Sequence, residues 1–179
     1  MKNDFITELK KLYLKFGIDG YVIPKNDQFF SEYSNPNRLL KITNFSGSAG
    51  LAIITKDKKM LFVDGRYILQ ATIETKGFKI YDISKNPINK VLGKIKRTYK
   101  LGFDPKLFTK ESIDKNFSNK CNLIPLRKNL IDGFFNKKKN TNIKKFYSLN
   151  VKISGQSSAS KIIRLKKFLN ENVLDNIYI

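Results

Sequence analysis

Two short segments carry side chains whose types and spacing could do chemistry. Asn44-Phe45-Ser46-Gly47-Ser48-Ala49-Gly50 sets hydroxyls between glycines, and Asp64-Gly65-Arg66-Tyr67 sets a carboxylate, a guanidinium and a phenol side by side. Ser46 and Ser48 can hydrogen-bond a turn, while Gly47 and Gly50 permit close backbone approach. Asp64 is placed to cap a helix, its carboxylate accepting backbone N–H bonds at the positive end of the dipole. Gly65 reads as a turn residue at positive φ, where a β-branched side chain would be strained. Arg66 is poorly matched to a helix start, so it needs a carboxylate or carbonyl partner, and Glu32 is the acid nominated. That acid belongs to a third segment, Pro24-Lys25-Asn26-Asp27 with Ser31-Glu32-Tyr33 and Arg38, which periodicity reads as loop. Tyr33 and Tyr67 are expected to pack their rings and turn their hydroxyls outward. The leading role for the whole set is to fix backbone geometry.

Other chemistries are poorly supplied. The chain has no His, so its one Cys, Cys121, has no imidazole to activate it and reads as a small buried hydrophobe. A single Cys forms no internal disulfide, which fits a reducing compartment. Asp19, Asp64 and Asp104 lie near expected strands and are the candidates for a carboxylate-bound Mg²⁺ of a nuclease, although acids near strands are commonplace.

Lys and Arg total 35 against 15 Asp and Glu, a net charge of +20 with a pI near 10.0. Such a balance can mark nucleic-acid binding. Most of these bases are Lys rather than the Arg that planar phosphate recognition favours, and they travel with abundant Asn and Ile, as A- and T-rich codons dictate. Composition therefore argues against nucleic acid as a partner. From Pro125 to Lys152 the bases concentrate, with Lys137-Lys138-Lys139 and Lys144-Lys145 in a stretch nearly free of apolar periodicity. It reads as an extended linker, and the alternative is a basic polyanion- or RNA-binding module. The N-terminus shows no apolar targeting core and no segment long enough to span a membrane, so a cytoplasmic protein without membrane contact is expected.

The elements that must position the motifs follow from alternating periods. Phe5, Leu9, Leu12 and Phe16 fall at helical spacing, and Tyr21-Val22-Ile23 gives a strand halted by Pro24. Leu51 to Thr55 and Met60 to Val63 read as a hairpin bracketed by the two glycine-bearing motifs. Helices are expected over 66–75, 88–96 and 110–117, and strands over 78–83, 100–103 and 121–124. This is an α/β chain whose mixed sheet is covered by helices on both faces.

In order and spacing, these motifs resemble the N-terminal domain of the Xaa-Pro aminopeptidases, or aminopeptidase P, of the creatinase and prolidase superfamily. Gly102-Phe103-Asp104-Pro105 and Asn129-Leu130-Ile131-Asp132 continue the resemblance, and Ser154-Gly155 through Lys161 and Arg164 look like the start of a second domain. Departures are Asn44 where the family has Gly, Phe29 where it has His, and Phe134 or Phe135 where it has Trp. The resemblance implies a three-layer α/β/α domain over 1–128, a linker over 129–153 and the truncated start of a second creatinase-type α/β domain over 154–179. The apolar run 173–179 then reads as an opening strand. It further implies that Glu32, Tyr33, Arg38, Ser46, Gly47, Ser48, Gly50, Asp64, Gly65, Arg66 and Tyr67 are structural or face a neighbouring subunit or the substrate entrance. Family members cleave before proline with two divalent metal ions, typically Mn²⁺, held by two Asp, one His and two Glu of a later domain, and act as homo-oligomers. This chain carries no such set, so no catalytic, cofactor-binding or metal residue is assigned within it.

The purified 179-residue chain is therefore expected to release no N-terminal residue from Xaa-Pro peptides even with Mn²⁺ supplied. Turnover that survives repurification and disappears on chelation would refute this.

Overall fold

The computed structural model describes residues 2–31, 36–95, 98–135 and 147–176. Contacts divide the chain into two compact units, Met1–Lys137 and Lys138–Ile179.

Unit 1 is built on a sheet of six strands: β1 Gly20–Pro24, β2 Leu51–Thr55, β3 Lys59–Val63, β4 Lys79–Asp82, β5 Lys100–Phe103 and β6 Asn122–Pro125, in the order β4-β3-β2-β1-β5-β6. Only β2 runs against its neighbours; β1 with β5, β3 with β4 and β5 with β6 are parallel pairs. The sheet is mixed, with buried central strands that read as near-continuous apolar runs.

Side chains alternate across that sheet with period two. Tyr21, Ile23, Ala52, Ile54, Leu61 and Val63 enter one core cluster with Leu9 and Tyr13 of helix α1 (Lys2–Phe16), Leu39 and Ile42 of α2 (Arg38–Thr43) and Ala71 of α3 (Ile68–Glu74). Val22, Ile53, Met60, Phe62, Leu101 and Phe103 enter the other, with Ile88, Val91 and Leu92 of α4 (Ile88–Gly93) and Phe117 of α5 (Lys110–Phe117). Helices therefore cover both faces in three layers. Gly102 is a point of close packing: a Cβ there would lie 2.8 Å from Ile18 Cδ1. The Tyr13 hydroxyl donates to the Ile54 carbonyl at 2.7 Å, and desolvation pushes its pKa well above the ordinary tyrosine value.

Several boundaries differ from those read in the sequence. Residues 66–75 divide into a short 3₁₀ turn, Gly65–Tyr67, followed by α3, and the helix expected over 88–96 ends at Gly93. The segment read as loop around Arg38 contains α2, whose N-cap Asn37 accepts from Leu40 N at 3.0 Å. Leu130 and Ile131, which the family resemblance places in the linker over 129–153, are buried in the first core cluster. Unit 1 accordingly extends past 128 through residues that pack on it.

In unit 2 the described residues form α6 (Val151–Ser154) and α7 (Ser158–Glu171), the latter capped by Ser157, whose Oγ accepts from Ser160 N at 3.1 Å. The expected strand over 173–179 is not formed by its described part, residues 173–176, which are turn and irregular backbone with Val173 at φ 54°. The lysine run 137–145 lies outside the described residues, as do Glu32 and Tyr33.

Candidate functional site at the mouth of the central hairpin

Because β2 and β3 are antiparallel, with Leu51 opposite Phe62, the chain entering the hairpin and the chain leaving it emerge side by side. Both glycine-bearing motifs sit at that mouth. Helix α2 stops at Asn44, which takes the left-handed conformation at φ 70° and donates its N–H to the Leu40 carbonyl at 2.9 Å. Asn tolerates this region better than most residues with a side chain. Thr43 Oγ1 donates to the Leu39 carbonyl at 2.8 Å and accepts from Phe45 N at 3.0 Å, which turns the chain inward.

Phe45 is fully buried, and the following residues close over its ring. A Cβ on Gly47 would collide with Phe45 Cζ and lie 2.8 Å from Cε1 and Cε2; one on Gly50 would lie 3.2 Å from Phe45 Cε1 and from Leu39 Cδ2. Close approach to an aromatic face is thus what these glycines permit. Tyr67 meets the same ring edge-on, with centroids 5.9 Å apart and an interplanar angle of 79°. Its hydroxyl lies 2.7 Å from Ser48 Oγ, so it joins the two motifs rather than simply facing outward.

Asp64 occupies the N-cap of the 3₁₀ turn, its Oδ1 accepting from Arg66 N at 3.0 Å and from Arg66 Nε at 2.9 Å. These hydrogen bonds hold the Asp64 carboxyl below its ordinary range and push the Arg66 guanidinium above its own. Arg66 therefore pairs with its near neighbour, in an exposed bridge of small energetic value. Gly65 is not at positive φ; its special requirement is room, since a Cβ would lie 3.2 Å from Asp82 Oδ2. Asp82 in turn accepts from Ser84 N at 3.0 Å and Ser84 Oγ at 2.6 Å.

A third tie escaped sequence reasoning. Ser46 donates from N to Glu74 Oε2 and from Oγ to Glu74 Oε1, both at 2.7 Å, and Gln70 Nε2 donates to Ser46 Oγ and Glu74 Oε1, both at 2.9 Å. The Ser46 backbone N–H is the main cause holding Glu74 below its ordinary pKa, followed by Gln70 and the Ser46 hydroxyl. Gln70 and Glu74 stand one helical turn apart on α3, and that spacing was the available signal. The carboxylate is a charged acceptor rather than a general base, and no imidazole stands near either serine. The arrangement staples loop to helix.

Arg38 belongs to a separate cluster. It is only 12% exposed and grips Asp132 with two hydrogen bonds, Nε to Oδ1 at 2.6 Å and a terminal nitrogen to Oδ2 at 3.1 Å. Beside it Asn129 Nδ2 donates to Asp104 Oδ2 at 3.0 Å, and Leu130 N donates to the buried Tyr21 hydroxyl at 3.4 Å. Among the described residues no three of His, Cys, Asp and Glu converge on a metal position, so Asp19, Asp64 and Asp104 do not form the nuclease-type cluster. Among the same residues, no helix is long and apolar enough to cross a membrane.

Residues 6–132 match the creatinase/prolidase N-terminal domain family. The probable Xaa-Pro aminopeptidase P of Coprinopsis cinerea is 32% identical over 90% of this chain and 28% of its own length, so the chain spans under a third of that relative. The X-prolyl aminopeptidase of Caenorhabditis elegans, described as a cytosolic enzyme with a di-nuclear active site, superposes on 98% of this chain and 32% of its own with a TM-score of 0.66 at 21% identity. The N-terminal domain of the Mycobacterium tuberculosis cytoplasmic peptidase PepQ covers 74% of this chain and 98% of its own with a TM-score of 0.57 at 19% identity. None of these matches lends support to the polyanion-binding alternative.

Two expectations follow from the geometry. Gly47→Ala should destabilise unit 1 by about 1–3 kcal/mol, because the added methyl meets a buried ring that cannot move. Gly65→Ala should cost under about 1 kcal/mol, because the Asp82 carboxylate can swing aside. Urea unfolding of both variants checks the pair, and equal costs would overturn the assignment. For Glu74 the folded pKa lies below the ordinary 4.5, so its contribution is complete above that value and is lost as pH falls through the folded pKa. The stability gap between wild type and Glu74→Gln should shrink on acidification below 4.5; a gap independent of pH would refute the staple.

Proposed function

The chain belongs to the creatinase/prolidase N-terminal domain family, and from that premise we propose that it is the non-catalytic N-terminal region of an Xaa-Pro aminopeptidase. The observation that carries the reading is the alignment of 90% of this chain with an Xaa-Pro aminopeptidase P at 32% identity. The complete enzyme would remove the residue preceding proline from the N-terminus of a peptide. A chain without His, whose described residues bring no metal-binding group together, does not fit a two-metal hydrolytic centre. The two ions, Mn²⁺ in this reading, belong to residues outside it, and no step of the reaction passes through unit 1.

The motif residues then have structural and interface roles. Asp64, Gly65, Gly47 and Gly50 set the hairpin mouth, with Ser46, Ser48 and Tyr67 tying it together and Arg38 holding residues 129–135. Arg66 stands on an outward face that continues into Leu69 and Ile73, both 72% exposed and one turn apart on α3. An exposed apolar pair beside an exposed cation suits contact with a neighbouring subunit, which supports a homo-oligomeric complete enzyme. Residues 154–179 are read as the beginning of the second domain, and a cytoplasmic location is in keeping with the nematode enzyme described as cytosolic.

Sequencing the transcript through the codon for Ile179 and expressing its complete product tests the proposal. Two Asp, one His and two Glu are expected downstream, with chelator-sensitive release of the N-terminal residue from an Xaa-Pro peptide. A complete product that carries that set and cleaves no such peptide would overturn it, and so would a transcript that ends without the set.

A further inference from the structure

Away from the hairpin mouth, unit 1 has an open cleft of about 770 Å³, lined by residues of α1, the loop after β1, the turn after β5 and the segment 127–133. That volume lies within the range of ordinary ligand clefts. Leu12, Phe16, Leu107 and Leu130 give the lining an apolar component.

The charges in the cleft are unequally satisfied. Each carboxylate is engaged from within the chain. Asp27 Oδ1 accepts from Phe29 N at 2.9 Å and Ser31 N at 3.0 Å. Asp104 accepts from Lys106 N at 3.1 Å and Asn129 Nδ2 at 3.0 Å, and Asp132 is taken by Arg38. Lys15, Lys106, Arg127 and Lys128 line the same cleft, are exposed, and have no carboxylate partner among the described residues. Four like charges around one concavity repel each other and raise the local concentration of anions.

The rim adds a shaped apolar contact. Phe29 lines the cleft while 77% exposed, and its neighbour Phe30 is 54% exposed at φ 58°. A bulky residue in the left-handed region is strained, and such strain persists only where the surroundings impose it. Here the Asp27 bonds to Phe29 N and Ser31 N impose it, and Asn26 Nδ2 anchors the loop to the Leu107 carbonyl at 3.0 Å. The Phe29 ring is thus held out of the core in a cleft whose exposed cations have no carboxylate partner among the described residues.

We propose that this cleft docks an acidic peptide segment of a partner protein, with an apolar side chain of that segment against Phe29 and Leu12 and its carboxylates at Lys106, Arg127 and Lys128. A peptide is favoured over nucleic acid because the three carboxylates in the cleft repel a continuous run of phosphates, while a segment with separated acids can avoid them. The inference rests on unit 1 alone and stands apart from the assignment of peptidase function.

The test uses the full chain and a fluorescein-labelled decapeptide of alternating Glu and Leu, with binding read by fluorescence anisotropy at about 0.15 M salt. R127E/K128E should raise Kd about tenfold or more. K76E/K110E, which changes net charge equally on exposed residues outside the cleft, should change Kd less than about twofold. Circular dichroism confirms that each variant is folded. A decapeptide with Ser in place of Leu should bind about fivefold more weakly or worse, the loss of its apolar contacts. Equal losses in the two double variants would reduce the effect to diffuse electrostatics and overturn the proposal, as would equal affinity for the Ser peptide or no saturable binding. Oligouridylate that binds more tightly than the peptide and loses that affinity in R127E/K128E would assign the cleft to nucleic acid instead.

Discussion

The antiparallel register of β2 on β3, which sets Leu51 opposite Phe62, is the constraint on which the candidate site depends. In an otherwise parallel arrangement one reversed strand forces the chain to enter and leave the hairpin at the same edge of the molecule. Phe45 can then be sealed by its own following loop and by Tyr67 from the other motif. Ser46 can reach Glu74 for the same reason, since α3 begins where the second strand has just ended. Residues more than twenty positions apart in sequence, Phe45 with Tyr67 and Ser46 with Glu74, are thereby joined through one buried ring and one carboxylate.

A second closure brings distant parts of the chain to α1 and α2. Phe5 of α1 packs against Phe134 with centroids 5.4 Å apart, and Lys41 of α2 lies 4.5 Å from the Phe5 centroid and 5.5 Å from that of Phe135. With the Arg38–Asp132 bridge, these contacts fasten residues 129–135 to the first helices. Hydrophobic packing at Leu130 and Ile131 supplies most of the stabilisation; the ion pair, with Asp132 47% exposed, chiefly fixes register.

The central strands were legible in the sequence because burial on both faces leaves nearly uninterrupted apolar runs, and the hairpin was legible because a polar turn separates two of them. Helix α2 was hidden by its length: six residues provide too few turns for periodicity to register, although Asn37 three residues before Leu40 is a capping signal. Gly65 was assigned the wrong reason for being glycine. Sequence alone cannot separate a demand for positive φ from a demand for space, and here the space is taken by Asp82 from a neighbouring strand. Glu74 went unnoticed because its partner is set by tertiary contact. The burial of Leu130 and Ile131 was not legible because Arg127 and Lys128 precede them and a lysine run begins at Lys137, so charge density masks a short apolar segment.

The margins of the sheet also govern how this chain can meet others. Both outermost strands, β4 and β6, are only four residues long. The first places a lysine, Lys79, at its start, and the second ends in Pro125, which has no N–H to donate. A strand from another molecule would find few backbone groups to pair with at either border. Association by lengthening the sheet is therefore disfavoured, and recognition is left to side-chain surfaces, where sequence rather than backbone decides the partner.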